Sequence, residues 1–101
     1  MTIFDENHEG ARLSMLAKQY PAIVNTTGEV LFHAEEQEDR LSGTSWTLAD
    51  DLFDQVTDSG FKLHLIELLD QLIEYRGQCN KAPRKEGVVR FGGGQIIIEW
   101  L

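Results

Sequence analysis

The amino-acid sequence predicts an α+β domain in which a small antiparallel β-sheet packs against three or four helices. Residues 61–75 carry a wide apolar stripe, which is typical of a central core helix. Residues 87–101 contain two β-favouring segments joined by three glycines, which indicates a C-terminal hairpin. A two-stranded hairpin alone is marginal in water, so a third strand must come from residues 22–34 or from a partner chain, and we favour 22–34. At 101 residues the chain is long enough for one modest core, and we expect a single domain over 1–101.

The first helix is expected over residues 5–19. Asp5 is a good helix-start residue, Lys18 suits the last turn, and Pro21 blocks continuation. The three residues 22–24 favour β-structure and precede the turn-forming sequence "NTTG".

Residues 29–41 are compatible with two predictions, a helix and a strand. Thr26 and Glu29 have the spacing of a capping box, which would open a helix, whereas "EVLFHA" reads as a strand that follows a turn at Gly28. The acidic second half favours a helix and the first half favours a strand. We favour a strand that gives way to an acidic loop or helix, because the C-terminal hairpin needs a third strand.

A third helix is predicted to open at Thr47, with Asp50 in the acceptor position of a capping box and Gly60 at its end. Its apolar stripe consists of Leu48, Leu52, Phe53 and Val56. The central helix over 61–75 is expected to end at Gly77. The run Ile96–Ile98 does not alternate with polar residues, which predicts a strand covered on both faces.

The net charge of −8 lies in one segment of the chain. Residues 29–58 hold nine of the 17 acidic residues and one of the nine basic residues, and the rest of the chain is balanced. Such asymmetry gives the protein an electric moment that steers charged partners. We expect an acidic partner-binding surface made of Glu35, Glu36, Glu38, Asp39, Trp46, Asp50, Asp51, Asp54 and Asp58. The alternative is that these carboxylates form only a solvated face, and that Trp46 packs in the core.

The sequence "DDLFD" also offers a metal-binding interpretation. Asp50, Asp51 and Asp54 have the spacing of the D-D-x-x-D motif of isoprenoid synthases, in which helix-borne carboxylates bind Mg²⁺. Those enzymes need a large helical cavity and a second metal-binding segment, which a chain of 101 residues does not supply. The three histidines do not form a zinc-binding pattern, and Cys79 has no histidine near it in the sequence. We therefore expect no enzyme activity, no metal and no cofactor.

The composition favours a cytoplasmic protein. A single cysteine cannot form an internal disulfide, and no run of about 20 apolar residues or secretion signal is present. We expect a small acidic binding protein, an immunity or inhibitor protein that covers the cationic active site of a basic partner such as a bacterial nuclease toxin or another nucleic-acid-binding protein. Direct nucleic-acid binding is disfavoured by charge. The alternatives are a structural or adaptor subunit that pairs through its C-terminal strand and a small Mg²⁺-dependent enzyme; the sequence leaves the oligomeric state open.

Overall fold

A computed structural model describes residues 5–49, 52–79 and 85–101, which form four helices and one four-stranded antiparallel sheet. The α+β prediction is confirmed, including the C-terminal hairpin and a strand within 22–34. The strand order is β2–β1–β3–β4, so β2 and β4 are the edges of the sheet. The helices are α1 (His8–Gln19), α2 (Pro21–Val24), α3 (Leu52–Asp58) and α4 (Phe61–Gln78), and the strands are β1 (Gly28–Ala34), β2 (Leu41–Thr47), β3 (Glu86–Gly92) and β4 (Gln95–Trp100).

The core lies between the sheet and the helices on one of its faces. Alternate residues of β1 and β3 point into it, so Val30 and its cross-strand partner Val89 are fully buried, while Leu31, the next residue of β1, is half exposed on the other face. From α4, Leu65 and Leu69 are fully buried, as the apolar stripe predicts. The opposite face of the sheet is not covered by any helix of the described residues.

Two glycine turns agree with the sequence prediction. Gly93 and Gly94 have φ of 58° and 83° and form the two-residue turn between β3 and β4, in which both residues need positive φ. Gly60, with φ of 88°, separates α3 from α4. The helix α4, however, does not end at Gly77 but continues through Gln78.

Residues 22–24 form part of α2, so the prediction of β-structure there is wrong. Pro21 occupies the first turn of this short helix, where its fixed φ suits the helical backbone, and the N–H of Val24 donates to the carbonyl of Tyr20 at 3.0 Å. The predicted capping box at Thr47 is also wrong, since Thr47 is the last residue of β2 and pairs with Glu29 of β1.

Two predictions of burial are wrong as well. Ile97 is 59% exposed although Ile96 is buried, because β4 is an edge strand and the helices cover only one face of the sheet. On α3, Leu52 and Val56 are buried, but Phe53 is 40% exposed and lies off the buried stripe. None of the helices in the described ranges is long and apolar enough to cross a membrane.

Candidate functional site

The loop between β1 and β2 carries four of the predicted carboxylates. The chain forms a strand up to Ala34 and then this loop, so the helical alternative opened by Thr26 is wrong. The N–H of Glu35 donates to the carbonyl of Arg40 at 2.9 Å and closes the loop. The loop carboxylates are exposed, namely those of Glu35, Glu36, Glu38 and Asp39.

The helix α4 brings further carboxylates to this loop. Oδ1 of Asp70 accepts a hydrogen bond of 2.8 Å from the N–H of Leu41, where β2 begins. The Asp39 carboxylate occupies the space that a Cβ on Gly77 would need, so loop and helix are in close contact. Glu74 lies one turn beyond Asp70 on α4, and both line an open cleft with the loop.

We call this group of carboxylates the hairpin acidic cluster. Arg40 is the one basic residue that lines the same cleft among the described residues. The ion pairs found within the described ranges are those of Arg76 with Glu9 and of Arg90 with Glu29 and Glu99, and none of them involves a residue of the cluster. The cluster comprises the cleft-lining residues Glu38, Asp39, Asp70 and Glu74, together with Glu35 and Glu36, which precede them in the same loop.

The other described members of the predicted surface lie at the far end of the molecule. Asp54 and Asp58 are exposed on α3, which precedes the start of α4. Asp39 contacts Gly77, which lies roughly 24 Å along α4 from its first residue, and Asp70 lies roughly 13 Å along it, whereas α3 ends before that first residue. Neither Asp54 nor Asp58 lines the cleft beside the loop. Asp50 and Asp51 lie outside the described residues.

Trp46 belongs to the far end and packs in the core. Its ring meets that of Phe61 edge-on, with centroids 6.4 Å apart, and its Nε1 donates to Oγ1 of Thr44 at 3.0 Å. The Nζ of Lys62 lies 5.8 Å from the centre of the indole ring. These contacts agree with the core-packing interpretation of Trp46 and place the indole away from the hairpin acidic cluster.

The metal and nucleophile candidates have other surroundings. Across residues 5–49, 52–79 and 85–101, no group of three or more His, Cys, Asp or Glu side chains is arranged to hold a metal ion. His8 stacks on Tyr75 at 3.9 Å between ring centres, and Nδ1 of His64 shares a hydrogen bond with the hydroxyl of Tyr20. Cys79 is buried directly after α4.

Sequence reasoning did not identify Asp70 and Glu74 as members of the acidic surface. Both lie on the helix that was recognised by its leucines, on the side away from the core. Together with Glu67 they form an acidic stripe at spacings of three and four residues, which is visible in the sequence. The contact between this stripe and the β1–β2 loop depends on long-range packing and has no local signal.

The similarity searches give no match for this chain. No protein-family model, no curated protein and no solved structure matches it.

Proposed function

We propose that this chain is a small acidic inhibitor of the immunity type, which neutralises a basic partner such as a nuclease toxin through the hairpin acidic cluster. The observation that carries the proposal is the convergence of loop and α4 carboxylates around one open cleft, with Arg40 as the one base lining it in the described part of the chain. The proposed site is narrower than the surface expected from the sequence, because Asp54, Asp58 and Trp46 do not line this cleft.

A nuclease toxin suits this cluster for an electrostatic reason. The active site of a nuclease attracts phosphate and is therefore cationic, so carboxylates held at fixed positions can occupy the same place. Opposite charges on the two surfaces also raise the association rate, most strongly at low ionic strength. The same charge disfavours direct binding of nucleic acid by this chain. The inhibitor would act in the cytoplasm without a catalytic step, a metal or a cofactor.

Backbone contacts hold the carboxylates in place before any partner binds. The bond from the N–H of Leu41 to Asp70 fixes the start of β2 against α4, and the bond from Glu35 to Arg40 closes the loop. A surface that is already ordered loses less conformational entropy on binding than a mobile loop would. This preorganisation supports recognition by a rigid partner site.

Affinity capture tests this proposal. The immobilised chain is exposed to lysate of the organism that encodes it, at low and at high salt, and retained proteins are identified by mass spectrometry. A Glu36→Lys, Glu38→Lys double variant serves as the matched bait, because both side chains are exposed and neither forms an ion pair within the described residues.

We expect one basic protein to be retained at low salt by the original chain and lost from the variant. The captured protein is then purified, and its nuclease activity should fall when the original chain is added in equal amount. The proposal is overturned if no basic protein is retained, or if the double variant retains it equally well.

A further inference from the structure

The two edges of the sheet differ in how well they are protected against pairing with another strand. The β1–β2 pairing contains a register irregularity at His33 and Ala34, and the sequence of β2 is rich in Ser, Thr and Gly. The pairing of β4 with β3 is regular throughout, and β4 contains three consecutive isoleucines and no proline or basic residue. Natural edge strands usually carry charges, prolines or bulges that block further pairing. Of the two edges, β4 has neither a proline nor a bulge, and Glu99 is its one charged residue.

The backbone of β4 has a defined set of groups that face away from β3. Gly92 and Gln95 flank the two-residue turn and form a hydrogen-bonded pair, and the N–H of Leu101 donates to the carbonyl of Glu86 at 2.9 Å. The odd-numbered residues of β4 therefore bond to β3. The N–H and C=O groups of Ile96 and Ile98 point outward, where the described residues supply no further strand.

We propose that β4 pairs antiparallel with β4 of a second copy of this chain, with the two-fold axis at Ile97. In this register the outward groups of Ile96 bond to those of the second copy's Ile98, and the reverse bonds form by symmetry. Ile97 faces the second copy's Ile97 across a non-hydrogen-bonded pair, the arrangement in which side chains approach most closely. This pairing would join two four-stranded sheets into one and is independent of any acidic partner.

Side-chain chemistry selects this register over the neighbouring one. Gln95 falls opposite the second copy's Glu99, so an amide donor meets a carboxylate, and no like charges stand directly opposite each other. A shift by one step centres the axis on Ile98 and sets the exposed Ile97 against the second copy's Glu99. That arrangement removes the contact between the two isoleucines and places apolar surface against a carboxylate.

A groove beside β4 provides space for the added strand. It has a volume of about 460 Å³ and lies between β4 and the helices α1 and α2, with Ala17, Lys18 and Ile96 among its lining residues. In the proposed register the second copy's Ile98 stands opposite Ile96 on the face of the sheet that borders this groove. Its side chain would therefore be buried against apolar surface rather than left in water.

The charge distribution permits the contact despite the net charge of −8 on each chain. The loop between β1 and β2 lies on the side of the sheet away from β4. Because the strands pair antiparallel, the two hairpin acidic clusters point toward opposite ends of the combined sheet. Glu99 is the one acidic residue within β4, and it is already hydrogen-bonded to Arg90 at 2.9 Å.

Light scattering coupled to size exclusion tests the pairing. As concentration rises, we expect the measured mass to approach twice the chain mass of 11.5 kDa. Ile97→Glu should weaken association by at least about tenfold, because it sets two carboxylates opposite each other. Leu63→Glu is the matched control, since Leu63 is 62% exposed on α4 and Ile97 is 59% exposed. The control should leave association unchanged, and circular dichroism checks that both variants fold.

Disulfide trapping tests the register. Ile97→Cys should form a covalent dimer under mild oxidation, because Cα atoms in a non-hydrogen-bonded pair lie about 4.5 Å apart. Glu99→Cys should not, since its two copies would lie about 13 Å apart. A mass that stays at one chain, an equal loss with Leu63→Glu, or cross-linking through Glu99→Cys instead of Ile97→Cys would each overturn the proposal.

Discussion

The backbone N–H of Leu41 donates a hydrogen bond of 2.8 Å to Oδ1 of Asp70. Leu41 is the first residue of β2, and Asp70 lies near the middle of α4, 29 positions further along the chain. The bond is partly buried and joins the acidic loop to the helix that completes the hairpin acidic cluster. Asp70 therefore holds the loop against α4 through this hydrogen bond and also contributes a negative charge to the hairpin acidic cluster.

Replacing Asp70 separates these two roles. Asp70→Ala should lower the free energy of unfolding by about 1–3 kcal/mol, because the N–H of Leu41 loses a charged acceptor. Asp70→Asn keeps a carbonyl acceptor and should lose less. Urea unfolding of both variants measures the difference. Equal losses would show that the hydrogen bond does not anchor the loop.

Gly77→Ala tests the contact between the loop and α4. Alanine normally stabilises a helix relative to glycine, but here the new methyl group would meet the Asp39 side chain. Because the Asp39 side chain is exposed and can rotate away, we expect the cost of displacing it to cancel the helix-propensity gain of roughly 0.5–1 kcal/mol, so that stability changes little. Thermal and urea unfolding provide the measurement.

Gly10→Ala is the matched control for that substitution. Gly10 also lies within a helix, α1, but nothing stands within 4 Å of the position where its Cβ would be. It should stabilise the protein by roughly 0.5–1 kcal/mol through helix propensity alone. If Gly77→Ala stabilised the protein as much as Gly10→Ala, the close approach of Asp39 to α4 would be wrong.

A buried ion pair joins α1, α4 and β4. Nε of Arg76 donates to Oε2 of Glu9 at 2.8 Å, and Nε1 of Trp100 donates to the other carboxylate oxygen at 3.1 Å. The Arg76 guanidinium also lies 4.2 Å from the centre of the Trp100 ring. Glu9 is 8% exposed, so water cannot replace these partners fully.

Glu9→Ala should lower the free energy of unfolding by about 1–3 kcal/mol, because it removes a buried charged acceptor that bonds to both Arg76 and Trp100. Urea unfolding monitored by Trp100 and Trp46 fluorescence measures the loss. Glu99→Ala is the control, since Glu99 pairs with Arg90 on the exposed face of the sheet. Exposed ion pairs contribute little to stability, so the control should remain close to the original chain. A similarly small effect of Glu9→Ala would contradict the structural role of the buried pair.

Strong local signals were enough to predict part of this fold. The leucines of α4 repeat over several turns, and Gly93 and Gly94 permit the turn that joins β3 to β4. The sequence of β2 is rich in Ser, Thr and Gly, so its local propensity does not predict a strand. Pairing with β1 holds it in the sheet. Pro21 predicts the end of the first helix, but it also begins the four-residue helix α2.

The candidate site was predictable only in part for a similar reason. The acidic residues of the β1–β2 loop follow one another in sequence, so their excess of charge is visible without a structure. Asp70 and Glu74 join them through tertiary packing, whereas Asp54 and Asp58 on α3 do not line the same cleft. The prediction thus placed acidic residues in one surface because they are close in sequence, although they do not line the same cleft in the fold.

The most direct test of the proposed function compares two charge reversals of equal size. Glu36→Lys with Glu38→Lys alters the hairpin acidic cluster, whereas Asp54→Lys with Asp58→Lys makes the same charge change on α3. Binding of the basic partner is measured by calorimetry at low and at high salt. We expect the hairpin variant to lose at least about tenfold in affinity, and the α3 variant to lose only a small, salt-sensitive part. Equal losses in both variants would show that net charge alone governs binding, which would contradict a specific site at the hairpin.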